Sequence, residues 1–205
     1  MIKGGRARLR SRRAASTLLI AGGALVLVGS AASIARAAIA RDAARSRWEE
    51  MEAGRAVTAA RARVDGAGGW STARGTPVAR IVIPRLRLDE VVVEGVSDDD
   101  LRAGPGHMTG SALPGDSGNA VISAHRDRHF YPLGRIVVGD TIITESDRGT
   151  VTWTVAKLRV VDAEAAALHT STTPLLTLTT CWPIRYFGPA PERLIVEATR
   201  IDASK

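Results

Sequence analysis

The chain has 205 residues, of which 45% are hydrophobic and 24% charged, a composition typical of a folded protein and not of a disordered one. Its single cysteine, Cys181, excludes an intramolecular disulfide, a Cys-x-x-Cys redox pair and a four-cysteine zinc site. The formal net charge of +7 would ordinarily indicate a nucleic-acid partner, so the position of that charge has to be examined.

The positive charge is concentrated in the N-terminal third. Residues 1–74 contain 14 Lys and Arg against 5 Asp and Glu, whereas residues 75–205 contain 14 against 16. The larger C-terminal part therefore lacks the excess of cations that neutralises phosphates, and the eight aromatic residues of the chain offer little stacking surface. We expect no nucleic-acid partner.

The first predicted element is a membrane anchor. Residues 1–13 form a basic tail with six cations, and residues 14–35 then continue for 22 residues without a charge. As a helix this run is about 33 Å long, enough for a hydrocarbon core of about 30 Å, and the preceding cations favour a cytoplasmic N-terminus. We expect a retained anchor over 14–36. The alternative is a signal peptide cleaved near Arg36, but the apolar run exceeds the roughly 7 to 15 residues of a signal core.

A linker is predicted between the anchor and the folded domain, over residues 37–76. Its first part is rich in Ala, Arg and Glu and is expected to be helical, whereas its last part is rich in glycine and is expected to be flexible. The folded domain is then expected to cover residues 77–205.

Short β-branched runs separated by turn residues dominate this domain. The predicted strands cover 78–83, 90–93, 119–124, 140–145, 150–161, 175–180 and 193–201. Apolar and polar residues alternate in 151–155, as in a sheet with one buried face, and no long amphipathic helix separates the strands. The sequence predicts a mainly β fold, a closed or nearly closed antiparallel barrel of seven or eight strands with short helices, one of them N-capped by Ser97.

Three residues with complementary chemistry lie at predicted strand ends. Cys181 follows the strand 175–180, Arg193 begins the next strand, and His125 follows the strand 119–124. If the last two strands form a hairpin, Cys181 and Arg193 face each other where opposed backbones lie about 4.5–5.5 Å apart. A rigid sheet would then hold all three side chains at the rim of the barrel.

These side chains suit acyl transfer through a thioester. An ordinary thiol is mostly protonated at neutral pH, so a nearby base or cation is useful to Cys181. His125 would pass protons to and from amines, and Arg193 would stabilise the oxyanion of a tetrahedral intermediate. Each residue also has a structural interpretation: Cys181 as a small core residue, His125 as a solvated turn residue and Arg193 as part of a surface ion pair with Glu192.

Residues 177–181 read Thr-Leu-Thr-Thr-Cys, which resembles the Thr-Leu-x-Thr-Cys motif of sortases, the membrane-anchored cysteine transpeptidases of bacterial surfaces. Residues 121–127 resemble the sortase histidine strand, and residues 191–196 resemble the strand that carries the family arginine, in the family's order. The segment 104–119 is also similar, so the resemblance covers roughly residues 77–201. The sequences of the histidine and arginine segments are most similar to those of class D sortases or of related sortases of Gram-negative bacteria.

The resemblance implies an eight-stranded sortase barrel with His125, Cys181 and Arg193 as catalytic residues and no cofactor. It implies that Cys181 cleaves a C-terminal Leu-Pro-x-Thr-Gly-like sorting signal of exported proteins after Thr and transfers the acyl group to an amine. That amine is a cell-wall precursor, a pilin lysine or another surface group. The protein would cross the bacterial cytoplasmic membrane once, with its N-terminus inside and its catalytic domain outside.

The residues around the nucleophile are predicted to contact the substrate. Thr180 is predicted to do so, although a strand threonine is equally expected for its β propensity. Trp182 is predicted to form one wall of the groove and, with Tyr186 and Phe187, to shield the thioester from water, with loop packing as the alternative.

The other histidines and the acidic run lie outside the motif. His107, His129 and His169 are predicted to be structural or surface residues. The run 98–100 is predicted to begin a helix, and no metal site is expected.

Two other functions remain open on the residues alone. One is a catalytically inactive barrel that binds surface peptides or other partners, and the other is a thiol hydrolase that cleaves without ligation. Papain-like proteases fit poorly because their cysteine precedes their histidine. The Ser-His-Gly-Cys element of L,D-transpeptidases is absent from the sequence.

Overall fold

The structure is a computed structural model that describes residues 5–61, 73–165 and 170–201. His169 and most of the predicted flexible linker lie outside the described residues. The chain divides into two compact units, Met1–Ile39 and Ala40–Lys205. Each unit is considered separately below.

A single long helix, α1 (Gly5–Arg61), forms the N-terminal element. Its part within Ile20–Gly54 is long and apolar enough to cross a membrane. Large apolar side chains of this part, including Leu25 and Val28, are exposed, as expected for a surface that meets lipid. A candidate membrane-spanning helix is therefore present where the sequence predicts it. The bounds of the anchor, 14–36, stay a prediction.

The part of α1 that belongs to the second unit packs on the barrel. Ala44 and Trp48 are buried, and the Arg41 guanidinium lies 2.6 Å from a carboxylate oxygen of Glu90. These residues fall within the segment predicted as a linker, 37–76, whose bounds also stay a prediction.

Eight strands close into a barrel in the order β1-β2-β3-β4-β7-β8-β6-β5, so the predicted mainly β, closed eight-stranded fold is confirmed. The strands are β1 (Pro77–Ile83), β2 (Leu88–Glu94), β3 (Gly106–His107), β4 (Asn119–Ser123), β5 (Thr141–Ser146), β6 (Gly149–Asp162), β7 (Leu175–Trp182) and β8 (Glu192–Arg200). Short helices join them, namely α2 (Asp100–Ala103) and the 3₁₀ helices Pro84–Leu86, Tyr131–Arg135 and Ala163–Ala165.

The prediction of an antiparallel barrel is wrong at two positions. β2 pairs with β3 in parallel, and so does β4 with β7. Parallel neighbours need a long crossover, and the hairpin β5–β6 provides it between β4 and β7. The two-residue strand β3 is too short to show a pattern in the sequence.

α2 begins at Asp100, and Ser97 makes the capping contacts predicted for it. The Ser97 hydroxyl oxygen accepts from the Asp100 N–H at 3.4 Å, and the Asp100 carboxylate accepts from the Ser97 N–H at 3.0 Å and from its hydroxyl at 2.6 Å. Asp99, the residue next to the first helical residue, makes no side-chain cap hydrogen bond. Burial raises the pKa of Asp100, but hydrogen bonds from Ser97 and Arg74 outweigh it and hold the pKa below its usual value.

Aliphatic side chains fill the barrel interior around Trp153, whose indole N–H donates to the Thr144 hydroxyl at 2.8 Å. On β7 the interior side chains include Leu176 and Leu178. Because side chains alternate along a strand, the residues between them point to the outer face of the barrel. The chemistry-bearing residues described next lie on that outer face.

Candidate active site

The hairpin formed by β7 and β8 brings Cys181 and Arg193 together. The two strands pair antiparallel, and Cys181 lies directly opposite Arg193 in the register. Side chains of directly opposed residues lie on the same face of a sheet. The predicted hairpin is therefore present, and its connecting loop runs over residues 183–191.

Cys181 lies on the outer face of β7 near the end of the strand. Its thiol is free and the residue is half-buried, in contrast to the fully buried Leu178 three positions earlier. Thr180 and Leu194, each one position from a member of the opposed pair, are buried on the opposite face. This placement argues against Cys181 as a core residue.

His125 reaches the same end of the barrel along β4. Because β4 runs parallel to β7, the carboxyl ends of the two strands coincide. Ser123 is the register partner of Thr179, and the Ala124 N–H donates to the Thr179 carbonyl at 3.2 Å. His125, the next residue, is half-buried. The structure thus brings the three predicted catalytic residues to one end of the barrel.

The backbone of His125 is fixed by the turn that follows it. Its carbonyl accepts hydrogen bonds from the N–H groups of Arg128 and Phe130, at 3.3 and 3.2 Å. Phe130 is fully buried, so the turn is anchored in the core. His125 therefore begins an ordered turn, and its backbone is held more firmly than that of a residue in a solvated loop.

Thr180 connects the strand of the nucleophile to the strand of the histidine. It is buried, and its hydroxyl donates to the Ala124 carbonyl at 2.7 Å. Ala124 immediately precedes His125, so this bond joins the strand of Cys181 to the segment that carries His125. The substrate contact predicted for Thr180 stays a prediction.

Arg193 keeps its guanidinium free of carboxylates. Nη1 donates to the carbonyl of Glu192 at 3.1 Å, and among the described residues Arg193 forms no salt bridge. Arg159 differs, because its guanidinium lies 2.6 Å from the Glu197 carboxylate. The ion pair between Arg193 and the Glu192 carboxylate, considered from the sequence, is not formed. The cation is available to a substrate oxyanion.

Trp182 is half-buried and packs partly against the barrel core. It lines a cavity of about 590 Å³ together with Tyr131 and residues 183–185. Phe187 is fully exposed and Tyr186 is 48% exposed. The shielding of the thioester predicted for them stays a prediction. The substrate contact predicted for Trp182 stays a prediction.

His107 belongs to a buried network at a different place in the barrel. Its Nδ1 lies 2.7 Å from a Glu94 carboxylate oxygen, and its Nε2 lies 2.9 Å from both the Ser111 hydroxyl oxygen and the Ala112 carbonyl oxygen. The Ser111 hydroxyl also donates to the Met108 carbonyl at 2.7 Å. His107 is thus buried and hydrogen-bonded away from Cys181, and the structural role predicted for it stays a prediction.

His129 is also buried, with its Nδ1 3.3 Å from a Glu90 carboxylate oxygen, in agreement with its predicted structural role.

Sequence reasoning missed Arg126. This residue directly follows His125, and its guanidinium donates to backbone carbonyls of the β7–β8 loop. The only feature of the sequence that points to Arg126 is its position next to His125. Its hydrogen-bond partners are backbone carbonyls, which every residue type has, so the sequence does not reveal them.

A family model described as the sortase domain matches residues 81–201, which is more than half of the chain and includes His125, Cys181 and Arg193. The chain belongs to the sortase family. The resemblance of the sequence motifs to sortases is confirmed by this match.

Known sortases agree in sequence and in fold. The chain is 35% identical over 121 residues to Sortase D of Bacillus subtilis (strain 168), and this alignment covers 58% of the chain and 61% of that relative. Among sortases the protein is therefore class D-like. The barrel superposes on a Clostridium perfringens Sortase D5 transpeptidase with a TM-score of 0.62 at 20% identity, covering 82% of this chain and 99% of that one, which shows a shared fold.

Sortase A from Corynebacterium diphtheriae is similar as well. Its TM-score is 0.57 at 30% identity, over 64% of this chain and 63% of that chain. The sortase barrel of this protein is thus shared with sortases of more than one class.

Proposed function

We propose that this sortase is a cysteine transpeptidase in which Cys181 is the nucleophile, His125 the general acid and base, and Arg193 the oxyanion partner. The observation that carries the proposal is the convergence of these residues at one end of the barrel. Cys181 and Arg193 are register partners, and the parallel pairing of β4 with β7 brings His125 alongside.

The first half of the reaction forms a thioester. Cys181 passes its proton to His125, and the thiolate attacks the carbonyl carbon of the peptide bond after Thr in the sorting signal. The negative charge that develops on the carbonyl oxygen is stabilised by Arg193. His125 donates a proton to the departing amine, so the carbon–nitrogen bond breaks and the tail of the substrate leaves.

The second half transfers the acyl group. An acceptor amine attacks the thioester carbonyl, His125 accepts a proton from the amine, and the Cys181 thiolate leaves. Arg193 stabilises the second tetrahedral intermediate in the same way. The products are a new amide bond and the free enzyme.

The proposed donors are exported proteins with a C-terminal Leu-Pro-x-Thr-Gly-like signal, and the proposed acceptors are amines of a cell-wall precursor, a pilin lysine or another surface group. The similarity in fold to a Clostridium perfringens Sortase D5 transpeptidase is in keeping with this reaction class. The family membership supports the same substrate classes.

The proposed location is the bacterial cytoplasmic membrane, crossed once by α1, with the N-terminus inside. The apolar helix and the six cations of residues 1–13 support this orientation. Protease added to intact spheroplasts should digest the barrel and leave the basic tail. Protection of the barrel under these conditions would contradict the orientation.

A peptide assay tests the activity. The full-length chain in detergent micelles is incubated with a Leu-Pro-x-Thr-Gly peptide, with and without a soluble amine. Transpeptidation predicts a joined product that appears only with the amine. Cleavage without a joined product would favour the hydrolase, and binding without cleavage would favour the inactive peptide-binding barrel.

A further inference from the structure

We propose that Arg126 is a positioning residue that fixes the loop between Cys181 and Arg193 to the turn that carries His125. The inference deepens the proposed function, because it concerns the residue that holds the three catalytic elements in one arrangement. Arg126 makes contacts with this loop that His125, Cys181 and Arg193 do not make.

The Arg126 guanidinium binds three backbone carbonyls of the β7–β8 loop. Nη1 donates to Pro183 at 3.2 Å, and Nη2 donates to Tyr186 at 3.1 Å and to Gly188 at 2.7 Å. Its guanidinium carbon also lies 5.6 Å from the centroid of the Tyr186 ring, within the range of a cation–π contact. One side chain therefore contacts the loop at both its beginning and its tip.

An arginine is the side chain that this arrangement requires. Its planar guanidinium presents several N–H donors in a fixed fork, whereas a lysine ammonium is a point charge on a flexible stem. Hydrogen bonds from a charged donor are also stronger than neutral ones. Among the described residues Arg126 forms no salt bridge, so its charge is directed at the loop carbonyls.

The loop has few other means of holding its shape. Pro183, Pro189 and Pro191 have no N–H to donate. Among the described residues, the N–H groups of 184–190 form no backbone hydrogen bond, and the other side-chain bond of the loop joins Arg185 Nε to the Tyr131 hydroxyl at 3.1 Å. The conformation of this loop therefore depends strongly on Arg126.

The position of Arg126 links this loop to catalysis. Arg126 shares its backbone with His125, whereas the loop begins just after Cys181 and ends just before Arg193. The hydrogen bonds from Arg126 to the loop therefore hold the His125 imidazole in position relative to the hairpin that carries Cys181 and Arg193. Loss of such bracing lowers the fraction of complexes in a reactive geometry, which lowers kcat more than it raises KM.

The test compares Arg126→Gln and Arg126→Lys with the matched control Arg128→Gln. Arg128 lies two residues away and is exposed, and its side chain forms no hydrogen bond or salt bridge with the described residues. The two Gln variants remove the same charge and one trypsin site each. Limited trypsin digestion of the full-length chain in detergent micelles then measures cleavage of the Arg185–Tyr186 bond inside the loop.

We expect Arg126→Gln to raise the rate of this cleavage by about tenfold, since opening of the loop no longer breaks charge-assisted bonds. We expect kcat for the sorting-signal peptide to fall by about tenfold or more with KM within about twofold. Arg126→Lys should be intermediate in both measurements. Arg128→Gln should match the wild-type protein, and the temperature of thermal unfolding should be the same in all four proteins.

Equal cleavage of the Arg185–Tyr186 bond in Arg126→Gln and in the wild-type protein would overturn the proposal. A general rise in cleavage along the chain with a lower unfolding temperature would overturn it too, because Arg126 would then serve stability alone. If Arg126→Gln does not fold, Arg126→Lys decides by the same criteria. Absence of peptide turnover in the wild-type protein would contradict the proposed function, while the cleavage rates would still decide the role of Arg126.

Discussion

The two faces of the β7–β8 hairpin differ in what they contact. The inner face carries Leu178 and Val196, which are fully buried in the core. The outer face ends in Cys181 and Arg193, which are half-buried and have no apolar cluster over them. Because side chains alternate along a strand, neighbouring residues of one hairpin can serve folding and chemistry separately.

This separation holds at the end of the hairpin and not along its whole length. Ile195 is on the outer face with Arg193, yet it is 1% exposed. Thr177, on the outer face of β7, is buried as well and donates to the Asn119 side chain at 2.8 Å. Among the described residues of this hairpin, the outer face is covered at Thr177 and Ile195 and more open towards the strand ends, where Cys181 and Arg193 lie.

The largest effect is expected for Cys181→Ala. The variant cannot form a thioester, so both cleavage and ligation of a sorting-signal peptide should fall to background. Its thermal unfolding should match that of the wild-type protein, because the thiol lies on the outer face. Mass spectrometry of the products and calorimetry check the two outcomes, and residual ligation would remove Cys181 from the mechanism.

Arg193→Lys is expected to lower kcat by about 10² to 10³, since loss of one oxyanion partner has this cost and a point charge does not reproduce the planar fork. Stability should change little, because Arg193 forms no salt bridge among the described residues. Arg200→Lys, a change of the same kind at the other end of β8, is the control. Steady-state kinetics that match the wild-type protein would contradict the oxyanion role.

Leu178→Ala tests the inner face. The fully buried side chain leaves a cavity when truncated, and we expect the free energy of unfolding to fall by about 2–5 kcal/mol. At a temperature where the variant is folded, kcat per folded molecule should stay near the wild-type value. Denaturant unfolding and peptide kinetics measure the two quantities. A large loss of kcat without a loss of stability would contradict the idea that the inner face serves folding and the outer face serves chemistry.

The smallest effect is expected far from the hairpin, at the ion pair of Arg85 with Asp140. The hydrogen bond from Arg85, at 2.6 Å for Nη2, lowers the pKa of Asp140, and this outweighs the opposing effect of burial. The Asp140 carboxylate therefore binds a proton more weakly in the folded protein than in the unfolded chain. The ion pair stabilises the fold at pH values above the usual pKa of an aspartate, and this contribution is lost as the pH falls through the lowered pKa.

The measurement is the free energy of unfolding from about pH 6 down to about pH 3, across the usual range of an aspartate. Asp140→Asn should show a shallower decline than the wild-type protein. Asp127→Asn, an exposed aspartate outside any salt bridge of the described residues, is the matched control and should follow the wild-type curve. Identical slopes for all three proteins would show that Asp140 has no such role.

Most strands could be predicted because β-branched runs and turn residues are local signals. The pairing of Cys181 with Arg193 followed from the same signals, since a short loop between two strands specifies a hairpin. The parallel pairing of β4 with β7 could not be predicted, because the strands are far apart in sequence and no pattern records which edge each strand joins. The contacts of Arg126 were missed because its partners are backbone carbonyls.

The sequence by itself determined the mainly β class, the apolar N-terminal helix and the order of His125, Cys181 and Arg193 along the chain. These properties depend on residue types and on short spacings. The tertiary structure alone decided that His125 lies beside the hairpin, that Arg193 has no carboxylate partner among the described residues, and that Arg126 binds the loop. These contacts join segments that are distant along the chain, so they exist only once the barrel has closed.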